Sequence, residues 1–261
     1  IGVYITYRIL DIADLTVDGS LTTGGAVCAV CITLGWNPWL ALLMAILAGM
    51  LAGLVTGLLH TACGIPAILA VSVDNDQLLL SSRFIRSLGL DNPLVLLVPV
   101  TLVVIALLYW FFGTELGSAL RATGANQAMA RAQGINTSFG KVLGLVVSNG
   151  LVALSGALLA QYQGSATNDM GRGAIVIGLA AVIIGEVLLS KVFRNFALKL
   201  LSAVIGAIIY YVVITLVLRL GLESTDLKLL TALVVAVFLA IPYWKGRYFS
   251  KGVRKGGASH A

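Results

Sequence analysis

Long apolar runs separated by short polar clusters dominate the pattern of this chain. The runs at 38–59, 94–112, 139–160, 196–220 and 227–244 carry few charges. They match or approach the roughly 20 apolar residues that an α-helix needs to cross a bilayer. The runs at 1–9, 65–73 and 174–189 are apolar but short, and 10–34 has membrane length but is interrupted by polar residues. The pattern predicts an all-α polytopic membrane protein with about eight to nine transmembrane segments, some broken or short. Residues 1–244 form one transmembrane domain and 245–261 a basic tail. The chain opens inside an apolar stretch, which predicts that part of the first helix is missing from it.

Composition supports this assignment. Of 261 residues, 59% are hydrophobic and 11% charged, and the mean hydropathy is +1.01. A soluble domain carries about 25% charged residues, so this chain lacks the polar groups to cover a soluble surface. The 29 glycines fit a bundle whose helices approach closely. Cys28, Cys31 and Cys63 lie in apolar surroundings without the histidines or the second cysteine pair of a metal site. They read as small helix-packing residues.

The net charge of +6 points to membrane orientation, not to nucleic acid. Arg121, Arg131 and Lys141 lie in or beside the loop at 113–138. Lys191, Arg194 and Lys199 cluster near 190–199, and Lys245, Arg247, Lys251, Arg254 and Lys255 in the tail; together these are 11 of the 17 basic residues. The three regions are an even number of spans apart, so all can face the cytoplasm, with the C-terminus inside. The loops 163–173 and 221–226, which hold Asp169, Glu223 and Asp226, then lie outside.

Two polar stretches interrupt the apolar pattern. The first is Asp11-Ile12-Ala13-Asp14-Leu15-Thr16-Val17-Asp18-Gly19-Ser20. A carboxylate at mid-bilayer costs roughly 2.5–3.5 kcal/mol on insertion scales, so these must face a cavity, a partner or water. Thr16 and Ser20 can cap a helix start. The stretch reads as a broken helix with a fresh N-terminus near the midplane, an arrangement that builds transporter sites; the alternative is a surface loop between two short helices. The second stretch is Gly164 to Gly173, followed by the Gly/Ala-rich 174–189 with Glu186 inside it. An acidic residue, then glycines, then a small-residue helix occurs in both, which suggests an internal repeat of inverted topology. Asp14, Thr16, Asp18 and Ser20 are the candidate translocation-pathway residues, joined by Asp169 and Glu186.

The loop at 113–138 is polar, helix-forming and rich in small residues. Glu115 lies near its start, Arg121, Asn126 and Arg131 lie within it, and Gly124 and Gly134 bracket 125–133. Small residues permit close docking and the arginines can pair with acidic groups of a partner. It has too few large apolar residues to lie as an amphipathic helix in lipid. No nucleotide site is expected on this chain. The nearest approach to a Walker A loop, Gly134 through Gly140-Lys141, has five residues between its glycines instead of four, and Val142 where magnesium needs Ser or Thr. No catalytic triad or metal cluster stands out.

Taken together, Arg8-Ile9-Leu10-Asp11, Asp14-Leu15-Thr16-Val17-Asp18-Gly19-Ser20, the 113–138 loop, Gly178-Leu179-Ala180-Ala181-Val182-Ile183-Ile184-Gly185-Glu186 and Asp226-Leu227-Lys228-Leu229 resemble the branched-chain amino acid and ribose type of ATP-binding-cassette (ABC) importer permease. More closely, they resemble its subgroup linked to tryptophan or tyrosine uptake. The resemblance covers most of the chain. It departs after His60-Thr61 and Ile65-Pro66, where Asp74, Asn75 and Asp76 interrupt an expected apolar helix.

The resemblance implies a permease subunit in a bacterial inner membrane that moves a small polar nutrient, amino-acid-like, by alternating access. It implies a permease dimer, expected to be a homodimer, two cytoplasmic ATPases that carry the ATP and magnesium, and an extracytoplasmic substrate-binding lipoprotein. In such permeases a short helix of the cytoplasmic loop sits in a groove of the ATPase, which makes Glu115, Arg121, Gly124, Asn126, Arg131 and Gly134 the candidate coupling residues. The chain itself is then no enzyme and needs no cofactor of its own, and its remaining partner is the membrane lipid around it. An ion- or proton-coupled secondary transporter fits the intramembrane carboxylates equally well; the 113–138 loop is the feature it has no use for.

Overall fold

The computed structural model describes residues 1–12, 14–62, 78–79, 93–189 and 195–219. The expected spans at 65–73 and 227–244, most of the departure at 70–92, Lys191, Arg194 and the basic tail lie outside them. The described helices are α1 (Gly2–Tyr4), which continues as a π-helical turn Ile5–Ile9, α2 (Val17–Thr33), α3 (Pro38–Ala62), α4 (Pro93–Gly113), α5 (Glu115–Ala125), α6 (Gln127–Ala132), α7 (Thr137–Gln163), α8 (Ala174–Leu189) and α9 (Phe196–Arg219). A two-residue antiparallel ladder pairs Leu78 with Ala166 and Leu79 with Ser165. The expected all-helical class holds.

Three of these helices are long and apolar enough to cross a membrane, in α3 (Pro38–Leu58), α7 (Thr137–Gln163) and α9 (Phe196–Leu216). The stretch Leu97–Gly113 qualifies only together with Glu115–Ala125, across a bend of 82°. The bend sets α5, which carries Glu115 and Arg121, off the axis of α4. At 21 residues α4 reaches about 31 Å by itself. Among the described residues the spans thus number three or four, short of the eight or nine expected. The 10–34 run supplies the short α2 of 17 residues, and 174–189 the short α8 of 16.

The chain forms two compact units, Ile1–Leu179 and Ala180–Ala261. In the first, α2, α3 and α7 pack as a three-helix core. Gly49, Gly53 and Gly57 recur every fourth residue along one stripe of α3 and meet α7 at Asn149–Ala153, Leu145–Asn149 and Val142. A Cβ on Gly53 would stand 2.6 Å from the Leu145 carbonyl oxygen. Small residues give backbone-distance packing where lipid tails remove the hydrophobic drive between helices. Gly24 and Gly156 do the same between α2 and α7, at Ala153 and Leu21. Cys28 and Cys31 are buried in this core with Ala41, Ala45, Ala157 and Ala160, in the packing role expected of them. In the second unit, Gly185 of α8 lies against the Ser202 backbone of α9, and Gly206 against the Ala181 carbonyl.

Helix ends follow their local chemistry. Asn37 caps α3, its Oδ1 accepting from the Trp39 amide at 3.0 Å, and Pro38 follows at the first helical position. Gly164 ends α7 in the left-handed conformation, with φ 71°.

Candidate functional site

The break between α1 and α2 is built from unusual backbone. The π turn Ile5–Ile9 ends with the Leu10 amide donating to the Ile5 carbonyl at 3.0 Å, and the Ile12 amide donates back to Thr6 at 3.0 Å. Asp11 has φ 53°, a left-handed conformation that Asp tolerates better than most residues. These features stop the first helix before α2 begins.

Asp14, Thr16 and Ser20 come together in the interior, each 2–3% exposed, around a residue that the sequence reading did not single out. Asn149 of α7 is fully buried; its Nδ2 donates to Asp14 Oδ2 at 2.9 Å and to the Leu145 carbonyl at 3.0 Å. Its Oδ1 accepts from Ser20 Oγ at 2.5 Å. The other Asp14 oxygen accepts from the Thr16 amide at 2.9 Å and from the Thr16 hydroxyl at 2.5 Å. The Asp14 carboxylate therefore holds three donors, and both ends of the Asn149 amide are satisfied, as dry burial of polar groups requires.

One local expectation is corrected. Thr16 stands at the N-cap of α2 but in helical conformation, and its side chain makes no capping bond. Its hydroxyl turns to Asp14, and Ser20 to Asn149, because a buried carboxylate and a buried amide need those donors more than the helix end does. Asn149 carried a readable signal: an asparagine in the middle of a clean apolar span demands a partner.

Asp18 has a different task. Its Oδ1 accepts from the Ile175 amide at 2.9 Å and its Oδ2 from the Gly173 amide at 3.1 Å. A carboxylate on α2 thus satisfies the free amides at the start of α8, where the helix dipole favours negative charge. Gly173, at φ 82°, supplies the turn that aims these amides. Gly171 rests on the Asp18 carbonyl. The two polar stretches that interrupt the apolar pattern therefore meet. Of Asp169, the backbone lies in a 3₁₀ turn, Asn168–Gly171. Glu186 is half-buried on α8 in the second unit.

The 113–138 loop is helical, as expected, but as two helices, α5 and α6, with Asn126 between them. Thr114 caps α5 through the Gly117 amide (3.3 Å), and Asn126 caps α6 through the Met129 amide (3.1 Å). Asn136 caps α7 through the Phe139 amide at 3.1 Å. Gly134, with φ 80°, closes α6: its amide donates to Arg131 and the Ile135 amide to Ala130, both at 3.0 Å, a Schellman motif. Gly124 is the last residue but one of α5, beside its junction with α6 at Asn126, and packs on the backbone of Ile9.

The two arginines are tied within the chain. Arg121 donates to the Phe112 carbonyl at 2.9 Å, closing the end of α4, and Arg131 Nε donates to the Thr137 hydroxyl at 3.0 Å. Glu115 and Asn126 are exposed, as are the large apolar side chains Leu116 (55%) and Met129 (59%).

The chain matches the family described as branched-chain amino acid transport system, permease component, over residues 1–75 and 74–241. It belongs to this permease family. The two matched stretches meet at 74–75, where Asp74-Asn75-Asp76 departs from the expected pattern. The permease is 40% identical to a tyrosine transport system permease protein of Clostridioides difficile, over 92% of this chain and 85% of the relative. It is 34% identical to an uncharacterized protein of Rickettsia prowazekii, over 92% of this chain and 91% of that one. No solved structure matches it. The protein is a multi-pass membrane permease component of a transport system, and the secondary-transporter alternative is not favoured.

Proposed function

We propose that this permease is the membrane subunit of an ATP-driven importer for an amino acid, with an aromatic amino acid such as tyrosine as the first substrate to try. The similarity to a tyrosine transport permease supports the substrate class. The capped helices α5 and α6 support the drive: α5 is bent by 82° from α4, and the two present Leu116 and Met129, a form suited to a groove on a partner ATPase. Hydrolysis, ATP and magnesium belong to that partner, and an extracytoplasmic binding protein delivers the substrate. Two copies of the permease, an inverted repeat joining the Asp18 and 164–173 stretches, eight to nine spans in the whole chain and a cytoplasmic tail complete the proposal.

The path runs past the break at 11–17. Asp14, Thr16 and Ser20 are held from it by Asn149 in the closed arrangement, and alternating access exposes them by opening those hydrogen bonds. Asp169 and Glu186 are further candidates for the path. The deciding experiment is co-expression with the ATPase and binding protein, followed by ATP-dependent uptake of labelled tyrosine into proteoliposomes. Leu116→Asp with Met129→Asp should abolish ATPase co-purification, because both side chains are exposed. Retained association in the double variant refutes the dock, and uptake without ATP refutes the drive.

A further inference from the structure

We propose that Gly124 and Leu10 are positioning residues that carry motion of the α5–α6 loop into the buried Asp14–Asn149 network. The proposal rests on the reading of that loop as the ATPase dock. Gly124, in the last turn of α5, sits directly on the backbone at the end of the first helix. A Cβ there would collide with the Ile9 carbonyl oxygen and stand 2.7 Å from the Ile9 carbonyl carbon and 3.0 Å from Leu10 Cα. On its other side Leu10, 1% exposed, wedges its side chain against Gly144 of α7, where a Cβ would lie 2.9 Å from Leu10 Cγ. Thr123, the neighbour of Gly124, is buried against Gly140 on the same helix α7.

The network lies close along both chains. Asp14 follows Leu10 by four residues, and Asn149 follows Gly144 by five. Leu145, next to Gly144, provides the carbonyl that accepts from Asn149. Ile9–Leu10 is thus held between α5 and α7, and the chain leaving it is anchored to α7 by one set of hydrogen bonds.

Such an arrangement transmits displacement. Backbone-to-backbone contact contains no rotamer that can yield, and close-packed interiors pass strain on. The π turn Ile5–Ile9 and left-handed Asp11 flank the contact, and π segments are common where helices serve function. Helix shifts of about 1–2 Å accompany switching in other proteins. A shift of that size at Gly124 would stretch the 2.9 Å Asn149–Asp14 bond past the hydrogen-bonding range of about 3.2 Å. The loop would then open the path by releasing this latch.

The test uses the full permease–ATPase complex in nanodiscs, with Cys28, Cys31 and Cys63 replaced by Ala and Leu15→Cys as reporter. Leu15 lies in the break and is 45% exposed. The maleimide labelling rate is compared between the nucleotide-free and ATP–vanadate-trapped states. Coupling between sites commonly amounts to about 5–150-fold, so the reference rate should change by at least about 5-fold. In Gly124→Ala, compared at equal ATPase occupancy, the change should fall below about 2-fold. Leu10→Ala, which removes the wedge without a backbone collision, should do the same and decides the matter if Gly124→Ala does not fold. Gly113→Ala, with nothing within 4 Å of the added Cβ, should keep the full change.

Full nucleotide dependence in both Gly124→Ala and Leu10→Ala overturns the link, as does a reference whose labelling ignores nucleotide. Loss of ATPase association in Leu10→Ala overturns it too, because Leu10 would then support the dock itself. A reference permease that binds no ATPase is a separate failure, which refutes the reading of the loop itself.

Discussion

Replacing Asn149 tests the buried network most directly. Asn149→Ala removes the Nδ2 donor that reaches Asp14 at 2.9 Å and the acceptor that holds Ser20 at 2.5 Å. A hydrogen bond to a charged group contributes about 1.5–3 kcal/mol and a neutral one about 0.5–1.5 kcal/mol in water-soluble proteins. Interhelical bonds in membranes average nearer 0.6 kcal/mol, because the unfolded chain in lipid also finds partners. The variant differs from that average case in leaving a carboxylate short of a donor in a closed interior. These terms give an expected loss of about 2–4 kcal/mol. For a chain of this size that corresponds to about 4–16 °C in melting temperature. The assay is thermal unfolding in one detergent, followed by a double-mutant cycle with Asp14→Asn. Direct contact predicts a coupling energy of at least about 0.5 kcal/mol. Asn149→Ala within 0.5 kcal/mol of the unmodified protein, or additive effects in the cycle, would show that the site is wet and the network idle. Asn149→Asp distinguishes lost packing from lost donation. It preserves shape but sets two carboxylates against each other, so it should be at least as damaging as the alanine variant.

Asp18→Ala should cost about 0.5–2 kcal/mol by removing the carboxylate that caps α8, measured by thermal unfolding, and Asp18→Asn should recover part of it. Gly53→Val should destabilise toward the upper end of the ~1–3 kcal/mol overpacking range, read as loss of a monodisperse peak in detergent, because its Cβ would meet backbone and not a movable side chain. Gly134→Ala should cost about 1 kcal/mol, since its φ of 80° is the only obstacle and nothing lies within 4 Å. Reporter fusions after Gly173 and Lys251 should read outside and inside, with the loop at 113–138 inside; a tail on the opposite side from that loop would show a miscounted span.

The apolar pattern determined the all-helical membrane class by itself, because length and hydropathy are properties of single segments and bilayer thickness sets the ruler. Local codes were equally legible. The helical character of 113–138 follows from Thr114, Asn126 and Gly134, which act on their own neighbours within three residues. Family membership rests on the same footing, since it is carried by motifs in order along the chain. The partners of those residues were another matter. Asp14 and Asn149 are 135 positions apart, and Asp18 and Ile175 are 157. Nothing in either local stretch says that one carboxylate will meet an amide side chain and the other a helix start. Arg121 and Arg131 looked available to a partner because a sequence shows charge but not the carbonyl at the end of α4 or the hydroxyl of Thr137. Gly124 looked like punctuation, and only packing shows it bearing on Ile9. The polar residues announced that they needed partners, since unpaired polar groups are costly in lipid. Asp14 met Asn149 through the glycine-lined approach of α2 and α7, and Asp18 met Ile175 where the start of α8 packs on α2, which are properties of the assembled helices and of no one segment.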